Sequence, residues 1–296
     1  MKTDHLVSLI DVHPEHWTKK FNVWGAQRHW TENLMKNIVI TGSTRGIGFS
    51  MAMEFLRAGC NVTLSGRGEE LTEDARTALL PFEGKTIYIP CNVREKESLQ
   101  NLWDASFSKW GSIDIWINNA GQNAPHIFSW ETVEADTDNI IRTNIIGVIF
   151  GSQIAAAGML GQGYGAIYSM EGLGSNDMIQ SKTILYGTTK RALTYFMQGL
   201  AKELKGTGVI AGRLSPGMML TDFITKAPDG NPSEVISMTE FKKIFNILAD
   251  KPETVAGYLV PRMLENKRNG VQIAWLTNRK AAWRFMTAGR RKDRLI

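Results

Sequence analysis

A chain of 296 residues with 43% hydrophobic and 21% charged residues is long enough to bury a substantial core, and its balance is that of an ordinary globular protein rather than a disordered or fibrous one. Two cysteines, Cys60 and Cys91, each inside an apolar run, exclude a disulfide framework and point to a reducing compartment. The net charge of +5 is unevenly spread: between Arg262 and Ile296 ten Lys/Arg stand against Glu265 and Asp293, a local +8 that leaves −3 for the remainder.

The opening Met1-Lys2-Thr3-Asp4-His5, with further acids at Asp11 and Glu15, suits neither a secretory signal nor an acid-poor transit peptide. Residues 1–36 read as an extension ahead of the first strand. Trp17, Phe21 and Trp24 fall at helical spacing within it and predict a short helix docked on the domain or on a second subunit. Short β-branched runs then alternate with helical patterns, at 37–41, 61–64, 86–89, 113–117, 166–168, 209–211 and 271–275. Such alternation predicts an α/β fold with a doubly wound parallel sheet, whose right-handed crossovers place helices on both faces. One domain over 37–276 is expected, followed by a basic tail at 277–296.

Between the first two strands, Ile47, Met51 and Phe55 recur every four residues and mark one helix face. The turn into that helix is Thr41-Gly42-Ser43-Thr44-Arg45-Gly46-Ile47-Gly48. Glycines there let the backbone approach a pyrophosphate, whose charge is met by helix N-terminal N–H groups, so Gly42 to Gly48 are candidate cofactor-binding residues. After the second strand, Ser65-Gly66-Arg67 stands where an NAD-selective domain would offer a carboxylate to the ribose. Arg67 and Arg45 suit a 2′-phosphate instead, and NADP(H) is the expected cofactor.

Farther along, Ile145 to Gly163 carries no charge and approaches bilayer-spanning length, but its four glycines before Gly163, with Ser152 and Gln153, favour a helix buried between subunits of a homo-oligomer. Tyr186 and Lys190 are one helical turn apart. With Leu193, Met197, Leu200 and Leu204 as the buried stripe, both polar groups emerge on one side. A nearby ammonium favours phenolate, so the Tyr186 pKa is expected to move from about 10 toward neutrality, and the residue can pass a proton to a carbonyl oxygen. The segment 221–249, with Phe241, Ile244, Phe245, Ile247 and Leu248, reads equally as a lid over a ligand and as an amphipathic core helix. Between Arg262 and Ile296, Trp275, Trp283, Phe285 and Met286 are interleaved with the basic residues. Peripheral contact with an anionic lipid surface and a tail folded on the protein both fit that mixture. Nucleic acid is not an expected partner, because no recognition motif accompanies the charge.

Taken in order, the glycine turn, Asn118-Asn119-Ala120-Gly121, Tyr186-Gly-Thr-Thr-Lys190 and Pro216-Gly217 resemble the short-chain dehydrogenase/reductase family, with its Rossmann fold, across residues 37–276. The resemblance implies that Asn92 faces the adenine with Val93 beside it. It places Asn119, Ala120, Gly121, Pro216, Gly217, Met218 and Thr221 around the cofactor, and makes Asn144 the catalytic partner of Tyr186 and Lys190 that holds a water. No metal is expected. One family element is replaced: Gly172 stands where a serine would bond the substrate carbonyl, leaving Ser175, Ser169 and Glu171 as candidates for its part.

The run Ser169-Met170-Glu171-Gly172-Leu173-Gly174-Ser175 is similar to the chlorophyll(ide) b reductases, as are Leu214-Ser-Pro-Gly-Met218, Lys251 to Pro261 and Ala288-Gly-Arg-Arg291. This narrower likeness implies NADPH-dependent reduction of the C7 formyl group of chlorophyll b or chlorophyllide b to hydroxymethyl. It also implies a soluble or peripheral protein of a bacterial cytoplasm or, if a transit peptide was removed, of the plastid stroma or thylakoid surface. Two other readings stay open: a reductase of another bulky aldehyde or ketone, and a noncatalytic NADP(H)-binding partner protein.

Overall fold

The structure, a computed structural model, describes residues 35–226, 231–290 and 295–296. The helix expected around Trp17, Phe21 and Trp24, and the tail residues Arg291, Lys292 and Arg294, lie outside the described residues.

Each β-branched run forms a strand: β1 (Asn37–Ile40), β2 (Asn61–Gly66), β3 (Thr86–Pro90), β4 (Ile115–Asn118), β5 (Gly165–Met170), β6 (Val209–Ser215) and β7 (Gln272–Ala274). They join in one sheet of order β3-β2-β1-β4-β5-β6-β7, parallel at every neighbouring pair, which is the expected doubly wound arrangement. The helices are α1 (Gly46–Arg57), α2 (Glu73–Leu79), α3 (Lys96–Trp110), α4 (Glu134–Ile141), α5 (Gly147–Gln162), α6 (Ile184–Glu203), α7 (Asp222–Thr225), α8 (Thr239–Leu248), α9 (Pro252–Glu265) and α10 (Asn278–Met286).

Alternation along the strands divides the core into two apolar layers. Ile38 and Ile40 of β1 pack with Met51 and Phe55 of α1 and Val255 and Leu259 of α9. Val39, between them, joins Leu99 and Leu102 of α3, Ile154 of α5 and Met197 of α6 on the opposite face. Each large apolar side chain removed from water contributes roughly 1.5–3 kcal/mol, so these layers, more than any polar contact, hold the sheet.

Residues Glu134 to Gln162 run as one helix through a π turn at Arg142–Ile146. By length and composition that helix could cross a bilayer, yet half of its most apolar stretch is buried inside the fold, against α3, β4 and β5. A core helix explains the uncharged run.

Asp250 gathers the C-terminal region. It accepts from Trp275 Nε1 at 2.6 Å, Arg284 Nη1 at 2.7 Å and Arg284 Nη2 at 3.1 Å. With Arg284 and Asp250 only 11% and 10% exposed, Arg284 is a buried ion-pair partner and not a solvated tail charge. Asn246 of α8 receives the backbone N–H groups of Leu295 and Ile296 and donates to Ile296 O. Trp283, Phe285 and Met286 of α10 remain exposed.

The strand order reverses at β1, and the crevice this creates lies outside the carboxyl ends of the strands. The chain leaves β1 at Thr41, β4 at Asn119, β5 at Glu171 and β6 at Pro216, all toward that crevice.

Candidate active site

The glycine turn depends on conformations that side chains resist. Gly42 and Gly46 have φ of +61° and +56°, and a Cβ at Gly42 would come within 2.8 Å of Ala120 Cα. Thr41 Oγ1 accepts from the N–H groups of Asn119 and Ala120 at 3.0 Å each, while Asn119 Nδ2 donates to Thr41 O and Gly42 O at 3.0 and 2.8 Å. The ends of β1 and β4 are thereby stitched together beside Gly121. Ser43 Oγ turns inward, donating to Ile40 O and accepting from Ser65 N. Helix α1 starts with no side-chain cap and no acid in its first turn, so its N-terminal N–H groups form a cradle suited to a pyrophosphate.

Thr44, Ile47 and Gly48 complete the turn, and Thr221 closes it from the other side, its Cγ2 lying 3.6 Å from where a Gly46 Cβ would stand. Arg45 and Arg67 are exposed. Arg45 reaches Asp222 of α7 at 3.2 Å, whereas Arg67 makes no ion pair among the described residues. Asn92, past β3, donates to Glu95 Oε1 at 2.6 Å and accepts from Arg94 N, with Val93 buried behind it. Pro216 and Gly217 follow β6, and Met218 O accepts from Asp250 N at 3.1 Å. The sequence-predicted cofactor residues thus converge on one crevice, Asn92 and Arg67 at its outer end.

Asn144 is fully buried in the π turn, a feature common at functional positions. Its Nδ2 donates to Gln122 O at 2.9 Å and Thr189 Oγ1 at 3.1 Å, and its Oδ1 accepts from Gln122 N at 2.8 Å. The loop after Gly121 is therefore tied to α6, directly beside the tyrosine and lysine.

Tyr186 and Lys190 lie one turn apart on α6. Lys190 Nζ donates to Met170 O at 3.0 Å and sits 5.7 Å from the Tyr186 ring centroid. Phe223 of α7 meets that ring edge-on at 5.6 Å, and Asn123 Nδ2 holds Phe223 O at 3.1 Å. A Cβ on Gly172 would overlap the Tyr186 hydroxyl and stand 3.3 Å from Lys190 Cε, so the glycine occupies the strand-end place opposite the tyrosine.

None of the three expected serine substitutes reaches that place. Ser175 Oγ accepts from Gly172 N at 3.2 Å and donates to Lys190 O at 3.4 Å, bracing the loop. Glu171 is buried between Arg213 at 2.9 Å and Gln272 at 2.6 Å. Ser169 Oγ is enclosed in the strand without a hydrogen-bond partner.

Burial sets the titration of the pair. It pushes the Tyr186 phenol above its ordinary value, the reverse of the sequence expectation, because desolvation disfavours phenolate. Burial also lowers Lys190 to about 8, with the Glu171 carboxylate opposing the shift. The pair therefore presents a protonated phenol beside a cation at neutral pH.

Fold and crevice together define an oxidoreductase that works with a nicotinamide cofactor. The short chain dehydrogenase family matches residues 36–232, and the chain belongs to that family. A probable chlorophyll(ide) b reductase of Arabidopsis thaliana, NYC1, chloroplastic, is 34% identical over 279 residues, 88% of this chain; the chain spans only 54% of that protein's length. Chlorophyll(ide) b reductase NOL, chloroplastic, of the same plant is 34% identical over 277 residues, covering 88% of this chain and 76% of that protein. Among solved structures, a 3-ketoacyl-(acyl-carrier-protein) reductase from Brucella melitensis complexed with NADH shares the fold at a TM-score of 0.71 and 18% identity, over 83% of this chain and 98% of its own. A short chain dehydrogenase from Burkholderia cenocepacia J2315 in complex with NADP has a TM-score of 0.68 and 25% identity, over 81% and 95%.

Proposed function

We propose that this chain is an NADPH-dependent reductase of a formyl group, converting chlorophyll b or chlorophyllide b to the 7-hydroxymethyl product. The observation that carries the reading is the 34% identity to chlorophyll(ide) b reductases over 88% of the chain.

The cofactor, when bound, supplies hydride to the carbonyl carbon. Tyr186, kept as a phenol by burial, gives its proton from Oη to the carbonyl oxygen as the C–H bond forms. Lys190, held by Met170 O, places its positive charge beside the phenolate that remains. Asn144 fixes Gln122 against Thr189 and so sets the distance between the loop after β4 and α6. Gly42 to Gly48 with Asn119, Ala120 and Gly121 hold the diphosphate and ribose, Asn92 and Val93 the adenine, and Pro216, Gly217, Met218 and Thr221 the nicotinamide side. Arg67, and Arg45 when it leaves Asp222, receive the 2′-phosphate.

Further parts of the reading have separate support. Self-association through α5 and α6 is favoured by the exposed Leu160 and Tyr195 on those helices, and peripheral lipid contact by the apolar side chains that α10 leaves exposed. The 221–249 segment acts as a lid, supported by Phe223 against Tyr186. A reducing compartment agrees with Cys60 and Cys91, unpaired thiols that burial pushes up to about 11.

Purified protein with NADPH and chlorophyllide b should shift the pigment's blue absorption band with stoichiometric loss of NADPH absorbance. Reduction of simple aldehydes without any pigment conversion would contradict the substrate assignment.

A further inference from the structure

Beside the Tyr186 end of the crevice, two loops carry features that the hydride-transfer chemistry leaves unused. One is 122–133, which follows the clamped Gln122. The other is 173–183, which leads straight into α6. In the first, Phe128 and Trp130 stack at 4.7 Å with planes 3° apart, and Trp130 is 79% exposed, presenting an open ring face. In the second, Asp177 and Lys182 adopt φ of +65° and +63°, strained conformations for residues with side chains. Asp177 is paired with Arg191, while Ile179 between the two strained positions is 85% exposed.

Lys182 joins the loops. Its ammonium lies 4.9 Å from the Phe128 ring centroid and pairs with no carboxylate among the described residues. His126 lies close by; burial, with the Lys182 charge, holds it below its usual range, so that at pH 7 the imidazole adds a neutral donor rather than a second cation. A half-buried, unneutralised ammonium beside an open aromatic face is complementary to a flat ring that carries an anion at its edge.

We infer that Lys182, Phe128 and Trp130 form a substrate subsite for a planar aromatic ligand bearing a free carboxylate, the ring lying on Trp130 and the carboxylate meeting Lys182. The inference rests on the pigment reading above and deepens it: the chain selects the free propionate of a chlorophyllide over the corresponding ester.

The test is equilibrium binding by pigment fluorescence to the NADPH-loaded protein. The probes are a chlorophyllide carrying methyl at C7, which cannot be reduced, and its propionate methyl ester. The free acid should bind about tenfold tighter. Lys182→Met should erase that difference while leaving the ester unchanged, Lys182→Arg should keep it, and Trp130→Ala should weaken both pigments by a similar factor, about tenfold. NADPH affinity should stay constant in all three variants. Equal binding of acid and ester by the wild-type protein, or an acid preference that survives Lys182→Met, would overturn the subsite and leave the pigment reading standing. Failure of both pigments to bind would overturn the pigment reading itself, and the subsite with it.

Discussion

The two sides of the crevice are built differently. On the cofactor side, Thr41, Gly42, Asn119 and Ala120 are joined by four hydrogen bonds between strand ends, over two apolar layers, with positive φ confined to glycines. On the substrate side, Asp177 and Lys182 carry positive φ without being glycine, Trp130, Met178 and Ile179 stand exposed, and Asp222 and Phe223 of α7 reach the site through contacts with Arg45, Asn123 and Tyr186. A site that binds one invariant cofactor can be locked by the scaffold; one that admits a wide ligand must keep apolar surface and backbone in reserve. Tyr186 and Lys190 lie at the seam, with Lys190 tied to β5 and Tyr186 meeting Phe223 of α7.

That contrast can be broken first at Gly172. Gly172→Ser would return the hydroxyl usual in the family, yet its Cβ overlaps the Tyr186 hydroxyl, so a fall in turnover of about a hundredfold is expected in place of a gain. Single-turnover NADPH oxidation measures it, and a variant as fast as wild type would show that the site has room there.

A smaller effect is expected at the outer end of the cofactor side. Arg67→Ala should cost about tenfold in NADPH affinity and little in NADH affinity, because a charge-assisted bond to the 2′-phosphate is lost. Cofactor titrations decide it; an unchanged ratio of the two dissociation constants would remove Arg67 from the assignment.

Lys190 gives a graded test across the seam. Its ammonium is full below about 8 and is lost as pH rises through that value, while Tyr186 stays protonated because burial raises it. The reductive rate should be level on the acid side and fall through about pH 8. Since Glu171 holds the Lys190 value up, Glu171→Gln should move the fall to lower pH, and a pH profile that stays put would reject that coupling.

The least effect is expected at α7. The Arg45 to Asp222 pair is exposed, with side chains 71% and 41% accessible, so Asp222→Asn should change thermal stability hardly at all. By freeing Arg45, it should strengthen NADPH binding by about twofold. A weakening on titration would mean that Asp222 supports the phosphate site.

The seven strands and the glycine turn were legible because their signals are local: β-branched runs of strand length, and glycines between a strand and a helix. Tyr186, Lys190 and Asn144 were legible through spacing and family resemblance. What escaped was non-local. Phe223 and Asn123 meet across 100 residues, and the Arg284 to Asp250 pair across 34, so a tail charge on paper is a buried anchor in the fold. Arg213 had a signal, a lone charge inside an otherwise apolar strand, but not its partners Glu171 and, through it, Gln272. The Tyr186 shift runs opposite to the expectation because spacing shows the neighbouring ammonium and not the burial of the phenol.

Tyr186, lying against Gly172 and beside Lys190, is the proposed proton donor in carbonyl reduction. Stopped-flow single turnover of Tyr186→Phe with NADPH and chlorophyllide b tests it most directly. NADPH should bind with wild-type affinity while hydride transfer slows by about a hundredfold or more, since only the donor hydroxyl is removed. Hydride transfer at the wild-type rate in that variant would contradict the account.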